Sequence, residues 1–268
     1  MANPYLNDKA IEAAAANQAG WGAPDPTTRS TPITDGPVSA WHPGVMTVNG
    51  TLTATGALMA LLLVSAAFGW SAVDTADPLN PKFPAMAMIG VVVGVICAIG
   101  VHFKPTLARI LGPIYAIGEG FALGAISKGY ESWQNGIVVQ AVGATLGVTL
   151  VTFVLYRTNV IKVTDRFKRT VITATLGLML FYLVSFVISL FGGSVSFLNS
   201  TSLFSIGFSI LAAGLAAANL AIDFDFIEKS AKAGVPKYME WYAAFALLVT
   251  LVWLYLEMLR LLSKLNRR

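Results

Sequence analysis

The chain has 268 residues, of which 56% are hydrophobic and only 12% charged, against roughly 25% charged in an ordinary soluble domain. The few charges cluster between long apolar runs, which excludes a soluble globular core and points to an integral α-helical membrane protein in contact with the lipid bilayer. The net charge of +4 does not indicate nucleic-acid binding, because Lys and Arg stand in short connections beside apolar spans, where they orient a membrane protein.

Residues 1–45 are rich in Ala, Asn, Pro, Thr, Ser and Asp, and lack an apolar period that could build a core. They read as a polar, disordered cytoplasmic tail ahead of a transmembrane domain over residues 46–268. No basic segment followed by an apolar run and cleavage site opens the chain, so no removable signal peptide is expected. Seven apolar spans follow, near residues 52–70, 83–101, 107–126, 136–156, 171–191, 203–222 and 242–262. Each has the roughly 17 to 25 residues that a hydrocarbon core of about 30 Å requires. The expected fold class is therefore an all-α membrane protein, a seven-helix bundle. Pro84, Pro105 and Pro236 fall at or before helix starts, whereas Pro113 lies inside the third span and should kink it or mark its true beginning. The single cysteine, Cys97, lies in an apolar run and excludes an intrachain disulfide and any multi-cysteine metal site.

Basic residues divide ten to two between the even and odd connections. The even ones hold Lys104 and Arg109, then Arg157, Lys162, Arg166, Lys168 and Arg169, then Lys229, Lys232 and Lys237; the odd ones hold Lys82 and Lys128. That bias puts the even connections and the N-terminus in the cytoplasm. Seven crossings then place Arg260, Lys264, Arg267 and Arg268 on the far side, against the same rule, unless the last segment is re-entrant. Its apolar run is long enough to cross. Glycines at four-residue spacing, Gly90/Gly94, Gly120/Gly124 and Gly143/Gly147, predict close helix packing.

The candidate functional groups are acids within these spans. Glu257 interrupts the last apolar run, and an ionisable residue at membrane depth is a functional candidate because it costs several kcal/mol unless paired, hydrated or neutralised. Either it pairs along its own helix with Arg260, three residues on, or it faces the bundle interior while Arg260 snorkels toward the interface. Asp223 and Asp225 end the sixth span. They are about 200° apart on a helix, so one faces the bundle axis while the other points away. Asn219 shares the face of Asp223, which makes Asp223 the inward acid and the expected partner of Glu257. At about 4 Å and an effective dielectric near 20, two such carboxylates would repel by on the order of 4 kcal/mol, enough to hold one shared proton. The pair would sense pH and bind a cation, with Ca²⁺ held weakly because two carboxylates supply at most four of the six to eight oxygens it prefers. Beyond transient Ca²⁺, no cofactor is expected. Glu119, between Gly118 and Gly120, is a secondary candidate for either a pathway or a structural bond, together with Asp225 and Arg260. Glu131 and Glu240 read as solvated residues at span ends, and His102 and His42 as interface and tail residues. No HExxH, GxSxG or GxxxxGK[ST] pattern is present, so no enzyme is expected.

Three stretches, Gly112-Pro-Ile-Tyr-Ala-Ile-Gly-Glu119-Gly-Phe-Ala-Leu-Gly124, Asp223-Phe-Asp225-Phe-Ile-Glu228 and Trp253-Leu-Tyr-Leu-Glu257-Met-Leu-Arg260, give the chain a resemblance to the Bax inhibitor family, the TMBIM or YccA-like membrane proteins. The resemblance covers approximately residues 50–264. It implies seven helices around a central last helix and, in some members, a pH-sensitive Ca²⁺ leak gated by a di-aspartyl pair. Asp223 matches the family's acid on the sixth helix. Glu257 stands where many members have Asp, which lengthens one arm of the pair, and Arg260 is near the family's basic residue. The resemblance further implies, as an alternative function, a non-conducting protein that modulates a membrane-bound protease; the lack of disulfides and of a targeting peptide, with Lys- and Arg-rich even connections, fits a bacterial inner membrane.

Overall fold

The computed structural model describes residues 44–74, 82–191, 193 and 200–267, so the tail over residues 1–45, apart from its last two, and His42 lie outside the described residues. Among the described residues, seven helices are long and apolar enough to cross a membrane. They are α1 (Val48–Ser71), α2 (Ala85–Phe103), α3 (Ala108–Trp133, preceded by a 3₁₀ turn at Pro105–Leu107), α4 (Ile137–Arg157), α5 (Asp165–Leu190), α6 (Leu203–Lys232) and α7 (Met239–Asn266). The chain is an integral membrane protein of the expected all-α class.

Caps set several starts. Thr47, Thr164 and Ser202 accept from the amides of Gly50, Phe167 and Ser205, each satisfying an orphan donor of a first turn. Pro84 is the N-cap of α2. Pro113 neither begins nor ends α3: the helix starts at Ala108 and runs through it. Helices α6 and α7 outrun their apolar cores, with 30 and 28 residues. The polar stretch from Asp225 to Lys232 continues α6, and the chain turns at Gly234, whose φ of +65° suits glycine. Helix α7 is continuous over 28 residues, about 42 Å at 1.5 Å per residue, long enough to cross.

Helix α7 is the axis of the bundle. It packs against α1, α3, α4 and α6, and its Leu248, Leu254, Glu257 and Leu259 are at most 1% exposed. Just before α1, the amide of Met46 donates to the carbonyl of Val235 at 2.8 Å and that of Lys237 to Gly44 at 2.8 Å. The approach to α1 and the α6–α7 turn therefore share one end of the bundle. Glu240 is not solvated, as its place near a span end suggests, but 5% exposed. It accepts from both the amide and the hydroxyl of Thr47 at 3.0 Å and so ties the root of α7 to that of α1. Glu131 likewise caps α4, accepting from the amides of Gly136 and Val138.

The glycine pairs divide. A Cβ on Gly120 or Gly124 would collide with the backbone carbonyls of Leu62 or Ala66 on α1, and one on Gly90 with the carbonyl of Gly118 on α3. Here bare backbones touch, as helices associate where lipid supplies no hydrophobic drive. Gly143 and Gly147 have nothing within 4 Å of a Cβ and mark no contact, contrary to the expectation from spacing. Gly124→Leu should therefore cost on the order of 1–3 kcal/mol through overpacking, whereas Gly143→Leu should be neutral; thermal unfolding of both variants in detergent checks this.

Candidate functional site

Two buried polar centres lie at different heights along α7. The first surrounds Asp223 of α6, which is 7% exposed. Its carboxyl opens on a cavity of about 230 Å³ walled by His102 of α2, Ile172 of α5, Asn219 of α6, and Tyr242 and Thr250 of α7, among others. One carboxylate oxygen, Oδ2, is buried without a hydrogen-bond partner among the described residues. The Asn219 amide is fixed by donating to Thr175 Oγ1 of α5 and the Leu215 carbonyl, each at 2.8 Å. The cavity is thus mostly apolar, with polar groups only at His102, Asn219, Asp223, Tyr242 and Thr250, and it has room for several water molecules. His102, which reads from sequence as an interface residue, is part of its wall.

The second centre is built on Glu257, whose side chain is 1% exposed. Arg260 donates to both of its oxygens, at 2.9 and 3.1 Å. Tyr182 of α5 donates to Oε1 at 2.9 Å, Trp253 donates to the same oxygen at 3.2 Å, and the Tyr182 hydroxyl accepts from Arg260 at 2.7 Å. The guanidinium also lies 4.8 Å from the centre of the Tyr182 ring, a cation–π contact. This carboxylate is occupied on every side. Glu257 faces the bundle interior and also pairs with Arg260 along its own helix, so the two alternatives are combined; only the snorkelling of Arg260 away from the carboxylate is not seen.

The expected partnership of Asp223 with Glu257 is not what the bundle builds. Asp223 faces the Tyr242–Thr250 stretch of α7, and Glu257 is a further two turns, about 10.5 Å, along the helix. The reason is the antiparallel offset of α6 and α7. At the other end of α6, Lys264 reaches Ser205 O at 3.2 Å and Ser209 Oγ at 2.7 Å, which fixes the register and sets Asp223 against the first half of α7. Asp225 is 6% exposed and does not point away from the bundle. It turns to α5, where Lys168 pairs with it at 2.9 Å, joined by Lys229 at 3.0 Å. The 200° between the two acids is respected, but α6 lies between α5 and α7, so both faces are buried. Glu119 stands against Gly94 of α2, where a Cβ would meet its Oε2, apart from both centres.

Beyond the sequence reading, the second centre needs Tyr182 and Trp253, and the first Tyr242 and Thr250. Trp253 carried a readable signal, one turn before Glu257 on the same helix; Tyr182 and Thr250 depend on which helices meet.

The pattern of the Bax inhibitor 1 like family matches residues 3–267. The chain belongs to the Bax inhibitor 1-like family. The match takes in the polar N-terminal segment as well as the helices, so it is wider than the resemblance carried by residues 50–264. No curated protein and no solved structure gives a significant match. Within this Bax inhibitor 1-like bundle, the acid of the last helix is held as an ion pair while that of the sixth opens on a cavity.

Removing one member of a buried ion pair leaves the other charge uncompensated, typically at about 3–5 kcal/mol. Arg260→Met should therefore destabilise strongly, and Arg260→Met with Glu257→Gln should lose much less than the sum of the single changes. A double-mutant cycle by thermal unfolding in detergent reads this coupling.

Proposed function

We propose that this protein is a pH-sensitive passive cation leak in which Asp223 is the group that takes either a proton or the passing cation. The observation that carries the reading is the buried Asp223 carboxyl, one oxygen of which has no hydrogen-bond partner among the described residues, beside a mostly apolar cavity between α2, α5, α6 and α7. An unsatisfied carboxylate in such a place is costly. Three things relieve the cost: a proton, water, or a cation. Proton and cation compete for the same oxygens, so acidification should favour the neutral, cation-free state and lower the flux.

Ca²⁺ is the expected ion. Carboxyl, amide, hydroxyl and phenol oxygens around the cavity are hard donors, but too few to replace a full shell of six to eight oxygens, so a bound ion keeps water and leaves readily. Glu257, fully bonded by Arg260, Tyr182 and Trp253, then serves not as the second half of a proton-sharing pair but as a barrier on the other half of the route. Glu119 is a secondary pathway candidate. The ten basic residues of the even connections favour an orientation with the N-terminus and the α6–α7 turn in the cytoplasm. On that orientation, Asp223 lies in the cytoplasmic half and Glu257 in the outer half of a bacterial inner membrane. Arg260 and Lys264 weigh little against this, since one is paired with Glu257 and the other is buried on α6.

A second reading, a non-conducting protein that modulates a membrane protease, is favoured by the docking of Gly44–Met46 on the α6–α7 turn. That contact sets Gly44–Met46 at the same end as the Asp223 half of the bundle, and a partner engaged through the residues before them would act at that end.

The test is Ca²⁺ flux into liposomes holding the purified protein, compared from mildly acidic to mildly alkaline conditions. The wild type should conduct more as pH rises, Asp223→Asn should lose the pH response, and Glu257→Gln should keep it while changing the size of the flux. A wild-type flux no greater than that of empty liposomes at every pH would transfer support to the interaction reading.

A further inference from the structure

Helix α5 is attached to the bundle in an unusual way. It packs chiefly on α6, and among its described side chains only Val171, Ile172, Leu178 and Ser185 are buried. Leu176, Leu180 and Leu183 are 62, 59 and 58% exposed, which in a membrane means lipid contact. Apolar packing replaces contact with acyl chains of the same polarity, so it supplies little drive to hold α5 in place. Polar bonds must contribute the rest.

Those bonds come at three levels on one stripe. Lys168 pairs with Asp225 at 2.9 Å, Thr175 accepts from Asn219 at 2.8 Å, and Tyr182 donates to Glu257 at 2.9 Å while accepting from Arg260 at 2.7 Å. Steps of seven residues return to nearly the same face of a helix, with a drift of about 20° per step, and separate the levels by about 10.5 Å each. Ile172, which lies between the first two levels, is the contribution of α5 to the wall of the Asp223 cavity. The other walls are less free to part: α7 is the axis, α6 is fixed to it through Lys264, and α2 lies backbone to backbone on α3 at Gly90 and Gly118.

We propose that α5 is the movable wall of the Asp223 cavity, and that Lys168, Thr175 and Tyr182 are latch residues that hold this wall against α6. Parting of the three levels widens the cavity into a lateral route to Asp223 between α5 and α6. The use of that route by a cation rests on the leak reading above; the movement of the wall does not. Both buried centres belong to one latch, since Asn219 lines the Asp223 cavity and Tyr182 bonds Glu257. A change at either centre is therefore felt by α5.

The experiment places a cysteine at the wall, Ile172→Cys with Cys97→Ala, and measures its reaction with a membrane-impermeant maleimide in proteoliposomes, beside Ala233→Cys as an exposed reference at the same end of the bundle. The latched protein should label slowly at position 172. Thr175→Val should raise that rate by about threefold, the effect of one hydrogen bond between membrane helices, and Tyr182→Phe, which removes two, by at least as much. Adding Lys168→Met to both should raise it by about thirtyfold or more in all if the levels act additively; Lys168→Arg in its place should return most of that last increment, and labelling at position 233 should not change. An unaltered rate at position 172 in the folded, monodisperse triple variant overturns the latch. Should that variant fail to fold, Tyr182→Phe alone, which removes a single oxygen, decides by the same criterion. Ca²⁺ flux in the same proteoliposomes separates the two proposals: faster labelling with no flux in any variant keeps the latch and sinks the leak, whereas flux with unchanged labelling sinks the latch.

Discussion

The constraint on which this bundle depends is that lipid does not reward apolar helices for touching one another. Two other forces must bring them together. One is close approach of bare backbone, which joins α1, α2 and α3 through Gly90, Gly118, Gly120 and Gly124. The other is hydrogen bonding and ion pairing, which joins α5, α6 and α7. The molecule is accordingly asymmetric. The first three helices form a rigid slab, and the later ones are arranged around polar groups that cannot be left unsatisfied in a medium without water.

That division places the functional chemistry. Polar centres are tolerated where the helices that carry them already depend on polar bonds, and both centres fall between α5, α6 and α7. They differ in how their charge is met. Glu257 is neutralised by a neighbour one turn along its own helix and braced by Tyr182 and Trp253. Asp223 faces a cavity with one oxygen unmet. The first arrangement stores a charge pair and the second waits for a proton or an ion, which is why the function proposed here rests on Asp223 and treats Glu257 as a barrier and a latch partner.

The N-terminal approach adds a mechanical link. Thr47 and Glu240 join the start of α1 to the start of α7, and a side chain on Gly50 would displace the Glu240 carboxylate. The axis of the bundle is thus anchored at the end where Gly44–Met46 meet the α6–α7 turn.

Fold class was legible by itself, because span length and apolar composition are dictated by the thickness of the bilayer whatever the helices later touch. So were the important acids: Asp223 and Glu257 declare themselves as charges in apolar runs, and the Glu257–Arg260 spacing offered its own pairing. Local chemistry of that kind is carried along one helix and needs no partner to be read. What only the tertiary structure decided is the set of contacts between helices. The offset of α6 against α7 separates Asp223 from Glu257; the position of α6 between α5 and α7 buries Asp225; and open space at Gly143 and Gly147 leaves a packing motif unused. The heptad of Lys168, Thr175 and Tyr182 was visible as spacing, yet its meaning lay in Asp225, Asn219 and Glu257 standing opposite. Register between helices depends on where side chains of both meet, and a single chain of residues does not contain that distance.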